Sequence, residues 1–74
     1  VHNDNKNNGC RIDNNIQPIA IIPYTNGDIN KFRTIEFYYN NFIKAYAFRV
    51  YDISTSGVIT YPDTITVIMF YYDK

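Results

Sequence analysis

Very few side chains in this chain of 74 residues could carry catalysis. The single histidine, His2, and the single cysteine, Cys10, both lie in an asparagine-rich N-terminal stretch. A catalytic imidazole must be held in place by a second group, and a thiol nucleophile needs a base to activate it. Nothing near either residue supplies such a group. We therefore interpret His2 as a solvated terminal residue and Cys10 as a small buried thiol or, alternatively, as one half of an interchain disulfide.

The acidic residues offer two further chemical possibilities. Glu36 and Asp52 could form a general acid–base pair, but their spacing does not support one, and a solvent-facing position is the preferred interpretation of Glu36. The segment 4–9 has the glycine spacing of a calcium loop, yet lysine stands where an oxygen ligand belongs and Asn15 replaces the closing glutamate. One histidine and one cysteine are also too few soft ligands for a structural zinc site. The sequence thus predicts no catalytic residue, no metal and no cofactor.

The apolar composition indicates the elements that would position any functional residue. The chain has no leucine, whereas 12 residues are isoleucine and 13 are tyrosine or phenylalanine. Leucine favours helices, while β-branched and aromatic residues suit a pleated, half-buried surface. The composition therefore predicts an all-β protein. Six of the first 15 residues are asparagine, so we expect residues 1–10 to form a flexible arm and residues 11–74 to form one small β domain.

Three segments predict strands outside the middle of the chain. Residues 16–24 are apolar but include Pro18 and Pro23, which lack a backbone donor, so this strand belongs at a sheet edge. Residues 58–61 predict a short strand. Residues 64–72 are apolar on both faces, which predicts a strand that is central or covered by a partner, with Ile68 buried. Together they predict a small antiparallel meander folded into a sandwich or half-barrel.

The middle of the chain predicts a hairpin with a two-residue turn at Asn40-Asn41, because asparagine tolerates positive φ. Tyr39 would then face Phe42. One face would be strongly apolar and include Phe37, and the other would be mixed in character. The same segment also has apolar residues near a helical period, so an α+β fold with a helix at about 29–50 is the alternative. The central asparagines and the many aromatic and β-branched residues favour the hairpin.

Charge restricts the possible partners. Seven acidic and seven basic residues give a net charge of zero, with no basic cluster, so binding to nucleic acid is not expected to be strong. No apolar run is long enough to span a membrane. A domain this small often gains stability by association, so a partner protein or a second subunit is expected, and a homo-oligomer is one form of it. We expect a secreted or extracellular protein, or alternatively a phage-encoded cytoplasmic one.

Tyrosine is the residue type that points to a function. Eight tyrosines exceed what a core of this size can hold, so some must be exposed, and tyrosine is frequent at protein interfaces. The predicted hairpin places an aromatic patch with one cation on its mixed face: Tyr38, Tyr51, Phe32 and Arg49. These observations favour a non-enzymatic protein-binding module, such as an inhibitor, toxin subunit or adhesion subunit. Single-stranded nucleic-acid binding through stacked aromatics and carbohydrate binding are the alternatives.

Overall fold

A computed structural model of the chain describes residues 2, 3, 8–25, 27 and 29–74. The described residues form six strands: β1 (Cys10–Arg11), β2 (Ile16–Pro23), β3 (Lys31–Asn40), β4 (Ala45–Ser54), β5 (Ile59–Thr60) and β6 (Val67–Asp73). The predicted all-β antiparallel fold is confirmed. The alternative of a helix at about 29–50 is wrong, because β3 and β4 occupy this range and aromatic and β-branched residues fill both strands.

The strands form two antiparallel sheets. In the main sheet the strand order is β1-β4-β3, and β5 also pairs with β4. Of the described strands, the second sheet contains β2 and β6. Among the described strands, β2 therefore has one unpaired edge, as its two prolines predicted. The strands β3, β4 and β5 follow one another as a meander, whereas β1 and β6 pair with strands that are distant in sequence.

A small core lies between the two sheets, which do not close into a barrel. The buried cluster comprises Cys10, Ile12, Phe48, Val50 and Ile65, and side chains from β2, β3 and β6 pack against it. Val50, in the central strand, is fully buried. Full burial of a valine side chain is worth about 1.5–3 kcal/mol, which is a substantial contribution in a domain of this size.

The hairpin between β3 and β4 exists, but its register differs from the prediction. Tyr39 pairs with Tyr46 rather than with Phe42, and the loop has four residues instead of two. The reason is local: the side chain of Asn40 accepts hydrogen bonds from the backbone N–H groups of Phe42, at 2.9 Å, and Ile43, at 3.4 Å. The register shift is an even number of residues, so every strand residue keeps its predicted face. Phe42 itself lies in the loop and is 86% exposed.

Two positions that were expected to be buried are half-exposed. Phe37 lies on the predicted inner face of the main sheet, but it is 48% exposed because β2 only partly covers that end of β3. Its ring stacks on Tyr46 with the centroids 5.2 Å apart. Ile68 is 49% exposed because it points outward from β6. That strand belongs to a two-stranded sheet with only one face on the core, so the prediction of burial on both faces was wrong for Ile68.

A part-buried ion pair connects the main sheet to the chain at the end of β2. Arg33 in β3 pairs directly with Asp52 in β4, with its Nε 2.8 Å from one carboxylate oxygen and a terminal nitrogen 3.0 Å from the other. The same guanidinium donates a hydrogen bond of 3.1 Å to the carbonyl of Tyr24, just beyond β2. Since Arg33 reaches both sheets, its charge-assisted hydrogen bonds fix the end of β2 in position.

The N-terminal segment contacts the domain at its described positions. Asn3 is buried, and its amide donates hydrogen bonds of 2.8 Å to the carbonyls of Val50 and Pro62. His2 forms an isolated bridge with Thr64, and Cys10 begins β1. Residues 1 and 4–7, which include most of the calcium-like segment, lie outside the described residues. The flexibility of residues 1–10 stays a prediction.

Candidate binding surface

The outer face of the main sheet carries a band of apolar and aromatic side chains, which we call the tyrosine face. The strand register sets it out in rows across β3, β4 and β5. Phe32 pairs with Ile53, which pairs with Ile59 in β5. By alternation from these pairs, the tyrosine face includes Phe32, Glu36, Tyr38, Arg49, Tyr51, Ile53, Ile59 and Tyr61, together with the smaller Thr34, Ala45 and Ala47.

One end of the tyrosine face is fixed by Tyr38. Its hydroxyl donates a hydrogen bond of 3.0 Å to the carbonyl of Asn8 and accepts one of 3.0 Å from Arg49. The Arg49 guanidinium also lies 4.8 Å from the centroid of the Tyr38 ring. The hydrogen bond from Arg49 to Tyr38 is the main reason that the pKa of Arg49 is raised. Tyr38 therefore ties the N-terminal segment to the sheet and is half-buried rather than free.

The chain fits tightly against this tyrosine at Gly9. Gly9 has φ of +80°, a conformation that glycine adopts readily and other residues rarely do. A Cβ at this position would collide with the Tyr38 hydroxyl and would lie 3.1 Å from the carbonyl oxygen of Phe48. Glycine is thus required here by the backbone conformation and by the close approach of Tyr38.

The middle of the tyrosine face contains a pair of tyrosines beside an acid. The rings of Tyr51 and Tyr61 lie 6.0 Å apart at an angle of 59°. The pKa of Tyr51 is raised, first by loss of hydration and then by its hydrogen bond to Glu36 and the negative charge of that carboxylate. Tyr61 is 54% exposed, so this pair presents ring surface to solvent next to one polar group.

The structure places all four predicted binding residues on this one face. Phe32 is 65% exposed, whereas Tyr38, Tyr51 and Arg49 are half-buried. Their role in binding stays a prediction. Tyr61 and Ile59 were not predicted as members of the face. The sequence feature that could have placed them there is the turn at Gly57. In the structure Gly57 has φ of +88°, and this turn folds β5 back beside β4.

The groups considered for catalysis do not come together. Glu36 lies on the outer face of the main sheet, while Asp52 lies on the inner face and is paired with Arg33. That ion pair lowers the pKa of Asp52, chiefly through the hydrogen bond from Arg33. The thiol of Cys10 is buried and donates to the backbone carbonyl of His2, at 3.3 Å. In the described part of the chain, no three His, Cys, Asp or Glu residues are grouped to hold a metal ion.

No helix among the described residues has the length and apolar character to cross a membrane. Comparison of the chain with known protein families, with curated proteins and with solved structures gives no match.

Proposed function

We propose that this protein is a non-enzymatic protein-binding module that contacts its partner through the tyrosine face. The observation that carries the proposal is the exposure of apolar side chains on a sheet face that does not cover the core. In a strand whose outer face contacts only water, polar residues that face outward alternate with apolar residues that face the core. Here Phe32, Ile59 and Tyr61 are each more than half exposed on the same face. Contiguous exposed apolar surface of this kind is typical of interaction sites.

The rigidity of the face supports the same proposal. Tyr38 and Arg49 are held by mutual contacts, and the rings of Tyr51 and Tyr61 pack on each other. Side chains that are fixed before binding lose little conformational entropy when a partner covers them. Tyrosine and arginine are also the residue types that contribute most to binding energy in protein interfaces.

Charge favours a protein partner over a nucleic acid. The chain has no net charge. Arg49, the cation on the face, already contacts Tyr38 and lies 3.9 Å from the Glu36 carboxylate. A surface that follows a phosphate backbone needs unpaired cations. Inhibitors, toxin subunits and adhesion subunits remain the proposed types of module, and an extracellular location remains part of the proposal.

The test replaces exposed residues and leaves Tyr38 intact, because Tyr38 also fixes the N-terminal segment. The partner is captured with immobilised wild-type protein from extracts and culture medium of the source organism, then purified. Affinity is measured by calorimetry for a Phe32→Ser, Tyr61→Ser double variant. We expect affinity to fall at least about tenfold, in line with the loss of interface anchors. The matched control is Phe42→Ser, which removes an exposed aromatic ring from the β3–β4 loop and should keep wild-type affinity.

Two results would contradict the proposal. A folded double variant that keeps full affinity would show that the partner binds elsewhere. Binding to a single-stranded oligonucleotide that weakens steeply as salt increases would instead favour the nucleic-acid alternative.

A further inference from the structure

A second surface, independent of the tyrosine face, lies where the two sheets meet. An apolar groove of about 460 Å³ opens between β1 and β6. Its lining includes Ile12 and Phe48 from the main-sheet side and Val67 and Met69 from β6. Each strand beside the groove has a partner on one side only in the described part of the chain, β1 with β4 and β6 with β2. The groove is therefore an apolar channel beside strand edges that can still form hydrogen bonds.

In the described fold, most of strand β6 lacks the devices that normally protect an edge, and its one charged residue, Asp73, is at the C-terminal end. Its sequence from Val67 to Tyr72 contains no charge, proline or glycine, and its register shows no bulge on its own side of the pairing with β2. Edges of this kind pair readily with another extended strand. By alternation Tyr71 lies on the same side of β6 as Val67 and Met69, yet it is 52% exposed. A strand added beside β6 would cover both this ring and the groove.

We propose that the added strand is β6 of a second copy of this chain, paired antiparallel about a two-fold axis at Phe70. In this register Phe70 faces its own copy, Met69 faces Tyr71 and Ile68 faces Tyr72. Every cross-strand pair between residues 68 and 72 is then apolar, and no like charges meet. The two copies form a four-stranded sheet, β2-β6-β6-β2, whose inner side closes both grooves.

The second copy fits this edge better than a charged partner for two reasons. The chain carries no net charge, so two copies do not repel each other at a distance. The outer side of the joined sheet would also gather Ile68, Phe70 and Tyr72 of both copies, which are 49%, 53% and 58% exposed in one copy. A contact formed by one strand edge and one groove is small, so we expect a dissociation constant in the micromolar range or weaker.

The test exploits the position of Phe70 on the axis. Sedimentation of the wild-type chain over a concentration series should show a monomer–dimer equilibrium. Phe70→Lys and Phe70→Glu should each weaken dimerisation at least tenfold, because equal charges would then meet across the axis. An equimolar mixture of the two variants should recover the dimer as a heterodimer. Phe42→Lys places the same charge on an exposed loop ring and should dimerise like the wild type.

Three results would overturn the proposal. The wild-type chain could stay monomeric up to millimolar concentration, or both charged variants could dimerise as the wild type does. The mixture could also fail to recover a dimer that the single variants had lost, which would show that Phe70 does not face its own copy in the contact. Circular dichroism checks that the variants are folded. If a Phe70 variant unfolds, Ile68→Glu and Tyr72→Lys are mixed as separate chains. The mixture should favour the heterodimer over either homodimer, because only in the heterodimer do opposite charges face each other across the strand pair.

Discussion

The ion pair between Arg33 and Asp52 gives the sharpest prediction about stability. Exposed pairs contribute about 0.2–1 kcal/mol, whereas removing one member of a buried pair costs about 3–5 kcal/mol. The side chains of Arg33 and Asp52 are 21% and 10% exposed, so the pair is part-buried and the cost of breaking it should lie between these two ranges. Asp52→Ala leaves Arg33 with its hydrogen bond to Tyr24 but without its counter-charge. We expect this change to lower the free energy of unfolding by about 2–3 kcal/mol.

The measurement is urea unfolding followed by far-ultraviolet circular dichroism, since the chain has no tryptophan. A domain of this length has a total stability of roughly 4–11 kcal/mol, so the expected loss is large enough to measure. A double-mutant cycle with Arg33→Met isolates the pair. The double variant should be more stable than the sum of the single losses predicts, by about 1–2 kcal/mol, because no charge is left buried alone. Additive losses, or a cost below about 0.5 kcal/mol for Asp52→Ala, would refute the reasoning.

Acid should weaken the same ion pair. Arg33 lowers the pKa of Asp52 in the folded protein below its ordinary value, mainly by hydrogen bonding. The stability from this lowered pKa is fully present above the unfolded value of about 4 and is lost as the pH falls through the folded pKa. In the Asp52→Ala variant, the loss of stability below about pH 4 should be smaller than in the wild type.

Three further predictions use the same unfolding assay. Val50→Ala should cost about 2 kcal/mol, because it opens a cavity in the centre of the core, and a cost under about 0.5 kcal/mol would contradict this burial. Phe37→Ala should cost only about 1 kcal/mol, because the ring is half-exposed and mainly loses its stacking on Tyr46; a cost above about 3 kcal/mol would mean that the ring is covered. Gly9→Ala should cost about 2 kcal/mol or more, and the cost should shrink in a Tyr38→Phe background, which removes the colliding hydroxyl. An equal cost in both backgrounds would show that the positive φ and the close approach to Phe48, rather than the Tyr38 hydroxyl, are responsible.

The sequence predicted the fold class and the faces of the central hairpin because both depend on simple periodicity. Side chains alternate along a strand, so any even shift in register leaves the faces unchanged. For this reason four residues could be placed on one sheet face from the sequence although the predicted turn was wrong: Phe32, Tyr38, Arg49 and Tyr51. The register itself depended on the side chain of Asn40, which caps a longer loop. A hydrogen bond of that kind is not visible in a pattern of apolar and polar residues.

Features that depend on the exact register could not be predicted. In the predicted hairpin Arg33 faced Phe48, whereas in the structure it faces Asp52 and the two form the ion pair. Whether Ile68 is buried could also not be predicted from the sequence. An apolar strand alone does not reveal how many neighbours it will have, and β6 has one in the described fold. Tyr61 joined the tyrosine face only because β5 pairs with β4.

The distribution of apolar side chains connects the two proposals. Among the described residues, seven apolar side chains form the buried core, while fifteen large ones are exposed. A small domain cannot cover all of its apolar surface. The exposed apolar side chains are either scattered singly over the surface or lie next to one another. Seven of these fifteen lie on the tyrosine face or along β6, on opposite sides of the core. Because the two surfaces share no residue, Phe32 and Tyr61 variants should leave dimerisation unchanged, and Phe70 variants should change binding of another protein only if that protein requires the dimer.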